Sequence, residues 1–419
     1  MSMSIAPKRL DVDGLLTDPA TSIIVCCGSG GVGKTTAAAA LALRAAEQGR
    51  KVVVLTIDPA RRLAQSLGLT ELDNNPREVI GVGGVAGGNS SGGGIDGTAD
   101  GTGTGTGTGK LYAMMLDMQR TFDEIVEKHA DPERVQQILS NPFYQSVSAG
   151  FSGTQEYMAM EKLGQLRKIG EETGSWDLIV VDTPPSRSAL DFLDAPNRLG
   201  SFLDGRFIKI LMAPTKAGGG IAMRVLAGGL SIATLAVNKL LGSALLADIQ
   251  TFVSAFDTMF GSFRNRADET YRLLQADGTA FLVVAAPEPD ALREAAYFTE
   301  RLAAEKMPLA GLVLNRVHRV AAPELSAERA LSAAEELEGG GDGEGGYAES
   351  GGTEDRRIAA GLLRLHAEQV RLVAREQRLA ERFTAAHPAV PVAEIPAQPG
   401  DIHDLAGLRL AGVLLAESS

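Results

Sequence analysis

The sequence predicts a doubly wound, mostly parallel α/β sheet with an α-helical subdomain inserted into it. Three observations carry that expectation. Short apolar runs recur along the 419 residues and are continuous rather than alternating, the pattern of strands buried on both faces. Helical patterns separate these runs, so consecutive strands are joined by right-handed crossovers. Two long stretches, 118–173 and 191–274, each read as helix with no strand inside it.

The first strand is the β-rich run Ser22 to Cys27, followed by a glycine-rich loop and the alanine-rich helical segment Thr36 to Gln48. Lys51 to Thr56 is a second apolar strand. Further strands are expected at Leu111 to Leu116, Trp176 to Val181, Ala280 to Ala285, Ala310 to Leu314 and Val390 to Ile395. Residues 81–109 and 337–353 are dominated by Gly, Thr, Ser, Asp and Glu, too polar to offset the entropy of ordering them, and read as flexible insertions. The whole chain, 1–419, is expected to be one domain, with 118–173 and 191–274 packing together as its helical subdomain.

Composition narrows the function classes. Lys and Arg number 40 against 52 Asp and Glu, a formal charge of −12, and no basic run stands out, so no nucleic-acid partner is expected. The two cysteines, Cys26 and Cys27, are neighbours inside a strand and offer neither a disulfide framework nor a Cys-x-x-Cys metal site, which fits a reducing cytoplasm. The first 16 residues lack the uninterrupted apolar stretch of a secretory signal. Ile221 to Ala247 is apolar, but Arg224, Asn238 and Lys239 cut it into pieces shorter than the ~18–20 residues of a membrane span.

Two apolar helical patterns have alternative readings. Leu226, Leu230, Val237, Leu241 and Leu245 fall on or near one helix face, either a core face or a surface that receives an apolar helix of another protein. Leu365, Leu372 and Leu379 recur every seven residues in a helix ending before Pro388, a spacing read as packing against the sheet.

The segment with most chemistry is Gly28-Ser29-Gly30-Gly31-Val32-Gly33-Lys34-Thr35, which satisfies G-x-x-x-x-G-K-[ST] between an expected strand and an expected helix. Glycines in this order let successive backbone amides turn inward around phosphate oxygens. The following helix, entered through Thr36, aims its positive dipole end at the same charge. Lys34 would reach the β- and γ-phosphates, and the Thr35 hydroxyl would ligate magnesium, so ATP and Mg2+ are the implied cofactors.

Asp182 ends an apolar strand at Val181-Asp182-Thr183-Pro184-Pro185, where an open α/β sheet places its ligands. It fits a magnesium-holding role, direct or through water, or the cap of a following helix. Asp58, in Thr56-Ile57-Asp58-Pro59-Ala60, lies on the same rim and is either a carboxylate that orients or deprotonates attacking water or an Asp-Pro turn residue.

With these residues in place, the chain resembles the arsenite-pump and tail-anchored-protein-targeting ATPases, a branch of the deviant Walker-A group. The likeness covers most of the chain. It rests on the P-loop, on the switch I segment 56–60, on the switch II segment 181–185, and on Leu111-Tyr112-Ala113-Met114. Pro287-Glu288 through Thr299-Glu300-Arg301-Leu302, leading into Leu312-Val313-Leu314-Asn315-Arg316, completes it. The resemblance implies that Asp58 is the water-activating carboxylate and that Asn315 contacts the adenine, with Arg316 beside it among the nucleotide-binding residues. It also implies that Pro396 to Asp401, after the last strand, closes over the base. Family members work as dimers or fused pseudo-dimers that ATP closes, and this chain has one P-loop.

Three departures bear on partners. The family's lysine that crosses to the partner's nucleotide would stand at position 29, where this chain has Ser29. The alternatives are a homodimer in which Arg61 or Arg62 supplies the charge, or a heterodimer with a lysine-bearing paralogue. No counterpart exists for the metalloid-binding cysteines, so arsenite is not an expected ligand. Nor is there a Cys-x-x-Cys pair, so no zinc is expected between subunits. The expected function is a nucleotide-driven switch that binds an apolar helical client through its helical subdomain. The alternatives are a membrane- or polymer-associated positioning ATPase, which the acidic tail Asp401 to Ser419 disfavours, and an ATP-dependent small-molecule enzyme.

Overall fold

The computed structural model describes residues 8–57, 62–82, 109–129, 132–141, 144–145, 154–184, 265–339 and 350–418. Their strands are β1 (Ile23–Cys27), β2 (Lys51–Thr56), β3 (Arg77–Glu78), β4 (Lys110–Met115), β5 (Leu178–Asp182), β6 (Thr279–Ala285), β7 (Leu309–Val317) and β8 (Val392–Pro396). They form one sheet in the order β3-β4-β2-β5-β1-β6-β7-β8. All neighbours run parallel except β3 and β4, so the doubly wound, mostly parallel architecture is present. The two-residue strand β3, an antiparallel edge, is absent from the sequence-based expectation because Arg77 and Glu78 are exposed and carry no apolar pattern.

Burial explains why the strands read as continuous apolar runs. Every residue of β1, β5 and β6 is buried, because helices cover both faces. Each fully buried Leu, Ile or Val contributes about 1.5–3 kcal/mol relative to an exposed one, which makes the central strands the thermodynamic backbone of the fold.

The helices are α1 (Val12–Thr17), α2 (Lys34–Glu47), α3 (Arg62–Ser66), α4 (Met118–His129), α5 (Pro132–Leu139), α6 (Thr154–Thr173), α7 (265–275), α8 (Pro289–Ala304), α9 (Ala327–Gly339), α10 (Ser350–Ala386) and α11 (Leu405–Glu417). Helix α2 is the best buried: Ala37 through Leu43 are all inside, and its small side chains let α11 approach closely. A Cβ on Gly412 of α11 would stand 3.2 Å from the Ala40 carbonyl. The first turn of α1 is held by Asp11, whose Oδ1 accepts from the Gly14 amide at 2.8 Å.

Within the stretch expected to be helical, α4 and α6 pack together, with Lys162 Nζ donating to Glu124 Oε2 at 3.0 Å. Helix α7 joins them through Arg266, whose Nε lies 2.9 Å from both carboxylate oxygens of the buried Glu161. Most of 191–274, including Leu226, Leu230, Val237, Leu241 and Leu245, lies outside the described residues. The glycine-rich run expected at 337–353 is helical at both margins, since α9 continues to Gly339 and α10 begins at Ser350. Among the described residues no helix is long and apolar enough to cross a membrane.

One expectation is overturned outright. The seven-residue leucine repeat of α10 does not pack against the sheet along its length. Leu365 is 60% exposed and Leu372 37%, and only Leu379 rests against the main core. A repeat of seven defines which residues share a helix face but says nothing of which face the body covers. Here α9 takes the opposite face of α10, through Leu363, Ala367 and Val370.

Candidate functional site

Three strands adjacent in space, β2, β5 and β1, end side by side, with Thr56 and Cys26 both in register with Asp182. The glycine-rich loop leaves β1 at this edge, the carboxyl rim where a doubly wound sheet leaves a crevice. Its path requires glycine at named points. Gly28 has φ 153°, and a Cβ there would stand 2.1 Å from the Val284 carbonyl oxygen of β6. Gly31 (φ 78°) and Gly33 (φ 92°) are in the left-handed region. A Cβ on Gly33 would come 2.1 Å from Asn315 Nδ2, so the loop and the end of β7 are packed without room for a methyl group.

Gly33 is also the N-cap of α2 and brings no side chain to the helix's first amides. The first turn of α2 carries no acidic residue. Donors at a helix N-terminus left open by their own side chains, behind left-handed glycines, form a concave nest for an anion. Gly30 and Gly31 are exposed at its mouth and Val32 is buried beneath it. Lys34 is buried, and its Nζ donates to the Ser29 carbonyl at 2.8 Å, folding the ammonium across the loop. Thr36 is half-buried in the first turn.

The acidic side of the site is Asp182, which is fully buried. Its Oδ2 accepts from the Thr35 hydroxyl at 2.7 Å and from the Thr56 hydroxyl at 3.0 Å. The pair Thr35–Asp182 brings together the hydroxyl and carboxylate that a magnesium ion would use, an oxygen-only donor set suited to a hard cation. Thr56 is the residue that sequence reasoning missed. Thr56 and Asp182 are 126 residues apart, so no local pattern in the chain marks the contact.

Beneath the loop, Thr183 Oγ1 donates to the Cys26 carbonyl at 2.9 Å, tying the start of the switch II segment to β1. Burial pushes the Cys27 thiol up to about 12, with the nearby Lys34 acting in the opposite sense. Cys26 is raised well above its usual value by burial first and by the Asp182 charge second. Both are free thiols inside the sheet, without nucleophilic character.

On the far side, Asn315 is buried at the end of β7 and its Nδ2 donates to the Val32 carbonyl at 2.8 Å. Arg316 follows with φ 63° and is exposed; its amide donates to Asn315 Oδ1 at 3.0 Å. Two residues on, the His318 amide donates to Glu376 Oε2 at 2.9 Å and its ring Nδ1 lies 2.6 Å from Oε1, so α10 clasps the strand exit. Pro396 differs from expectation. It is the buried last residue of β8 rather than the start of a loop, and the chain leaves the sheet at Ala397, whose amide donates to the Val317 carbonyl at 2.9 Å. Asp58 and Arg61 lie outside the described residues. The chain leads toward them from beside Asp182, where the Ile57 amide donates to the Asp182 carbonyl at 3.0 Å.

The sequence profile of the anion-transporting ATPases matches residues 21–83 and 104–330, more than half of the chain. The chain belongs to the anion-transporting ATPase family. Within that family it is similar to the ATPase GET3 of Malassezia globosa, 27% identical over 188 residues that make up 45% of this chain and 46% of the relative. It is also similar to an arsenical pump-driving ATPase of Acidiphilium multivorum, 26% identical over 179 residues, 42% of this chain and 26% of that protein. A longer match, 69% of this chain and 63% of the relative, is to an ATPase ASNA1 homolog of Cryptosporidium parvum, 24% identical over 290 residues. The chain thus spans half or less of the length of the first two relatives.

Proposed function

We propose that this member of the anion-transporting ATPases hydrolyses ATP with magnesium and uses the reaction to change shape within a dimer. The observation that carries the reading is the anion nest of Gly28–Gly33 at the open N-terminus of α2, faced by the Thr35–Asp182 pair. When bound, Mg·ATP supplies the phosphoanhydride to be cleaved and a metal charge that offsets the charge on the transferring group. The loop amides and Lys34 hold the phosphates. Thr35 holds the metal ion, with Asp182 ligating it directly or through water. Asn315, Arg316 and the segment from Pro396 to Asp401 would hold the adenine.

Asp58 takes up or orients the proton of the attacking water, a contribution worth about 10²–10⁴ in rate. Ser29 leaves the chain without the lysine that reaches across to a partner's nucleotide, which favours a heterodimer with a lysine-bearing paralogue over a homodimer served by Arg61 or Arg62. The region 118–173 with 191–274 is the surface for an apolar helical client, bound differently in the two nucleotide states. Both cysteines are free thiols, consistent with work in the cytoplasm.

The test is ATP turnover of the purified chain, alone and mixed with a lysine-bearing paralogue, with mass determined in solution. Activity and a stable complex that arise only on mixing support the heterodimer. Full turnover as a homodimer overturns it. An Asp58→Asn variant that keeps the parental rate removes Asp58 from the mechanism, and failure of the chain to bind Mg·ATP in any mixture removes the whole reading.

A further inference from the structure

Over its first half helix α10 carries two apolar faces, and only one is covered among the described residues. Its Leu363, Ala367 and Val370 lie against α9, beside Ala327, Ala330 and Leu331. At 100° per residue the opposite side presents Ile358, Leu362, Leu365 and Leu372, spaced four, three and seven apart. These are 55%, 62%, 60% and 37% exposed. Gln369, half-buried, fills the remaining place in the four-three rhythm. This is the seam of a coiled coil, displayed outward.

The seam is rigidly held. Behind it stands the alanine contact with α9. Toward the C-terminus Glu376 and Phe383, which continue the same face, are buried, and Glu376 grips His318. A preformed apolar stripe loses little entropy on docking.

Charge distinguishes the two flanks. One flank carries Arg357, Arg364, Arg371, Arg375 and Arg382, all exposed, against two acids, Glu354 and Glu368. Arg364 pairs with Glu338 of α9, and Arg357 lies 3.8 Å from Glu354, but among the described residues no ion pair joins Arg375 or Arg382. The other flank, through Asp355, Ala359, His366, Val373 and Gln377, carries one carboxylate, Asp355, and no guanidinium. In a chain of formal charge −12 this is a local basic edge beside an apolar stripe.

We propose that the outer face of α10 docks an amphipathic helix of another protein, one with apolar residues at three- and four-residue spacing and Asp or Glu along one flank. A second copy of this chain fits poorly. Antiparallel pairing would set the arginine flanks against each other, and the four side chains offer on the order of 400 Å² against the ~800 Å² per partner of a stable interface. A bilayer fits poorly too. The stripe has no aromatic residue, the helix has no lysine, and Glu354, Asp355, Glu368 and Glu381 are exposed along it. The inference does not depend on the ATPase reading.

The experiment uses the full chain and two fluorescent, end-capped helical peptides with leucine at the seam positions, one with glutamate and one with lysine along the flank. Anisotropy should show the glutamate peptide binding about tenfold or more tighter than the lysine peptide, by the steering of opposite charges. Leu362→Ser with Leu365→Ser, both at exposed positions, should weaken it by at least about tenfold. Arg364→Glu with Arg371→Glu should reverse the preference between the peptides. Equal binding of both peptides, no binding, or indifference to these substitutions overturns the proposal. So does seam-dependent binding to phosphatidylserine vesicles, or seam-dependent self-association on sedimentation.

Discussion

Replacing Gly33 with alanine tests the nest and its support together. Two costs can be worked from the structure. Alanine at φ 92° occupies the left-handed region, about 1–2 kcal/mol. Its Cβ would also stand 2.1 Å from Asn315 Nδ2, so the amide must leave the Val32 carbonyl, breaking a buried hydrogen bond at a cost of about 1–3 kcal/mol. Gly33→Ala should therefore destabilise the chain by about 2–5 kcal/mol in urea unfolding and weaken nucleotide binding in titration calorimetry. Asn315→Ala breaks the same hydrogen bond without touching the backbone. If the clash is the cause, the double variant loses only the dihedral strain beyond Asn315→Ala, and the two substitutions are sub-additive by about 1–3 kcal/mol. Strict additivity would refute the steric link between the loop and β7.

Three further predictions follow the same logic. Asp182→Asn should fold, since its amide oxygen can still accept from Thr35 and Thr56, but should weaken magnesium-dependent nucleotide binding about 10–100-fold, measured with and without the metal. Arg50, buried, donates to the carbonyls of Leu16, Asp18, Thr21 and Asp177 as well as to the Asp177 carboxylate, so Arg50→Ala, which takes a donor from each of these carbonyls, should lower stability by about 1–3 kcal/mol in urea. Lysine there, a single point donor, should recover little of that loss. Cys26 and Cys27 should resist a disulfide reagent in the native state at pH 8, because burial pushes the Cys27 thiol up to about 12 and holds the Cys26 thiol well above its ordinary value; both should react once the chain is unfolded. Rapid labelling of the native protein would contradict their burial beneath the loop.

What the sequence by itself determined is whatever one contiguous segment encodes. The strand, glycine loop and helix of residues 22–48 are successive in the chain, so their chemistry could be read without knowing any distant contact. The continuous apolar character of Lys51–Thr56 and of the strand ending at Asp182 likewise announced a two-sided parallel sheet, and hence a shared rim for Asp182 and the chain leading to Asp58. Tertiary structure decided everything that joins segments far apart. Thr56 meets Asp182 because β2 and β5 are neighbours in space, and Asn315 reaches the carbonyl of Val32 across β6. Neither pairing leaves a local pattern in the chain. The leucines of α10 show the limit most directly: periodicity places them on one face, but whether that face is core or surface depends on where α9 packs. That contact engages the small residues on the opposite side of the helix and leaves Leu362 and Leu365 to water.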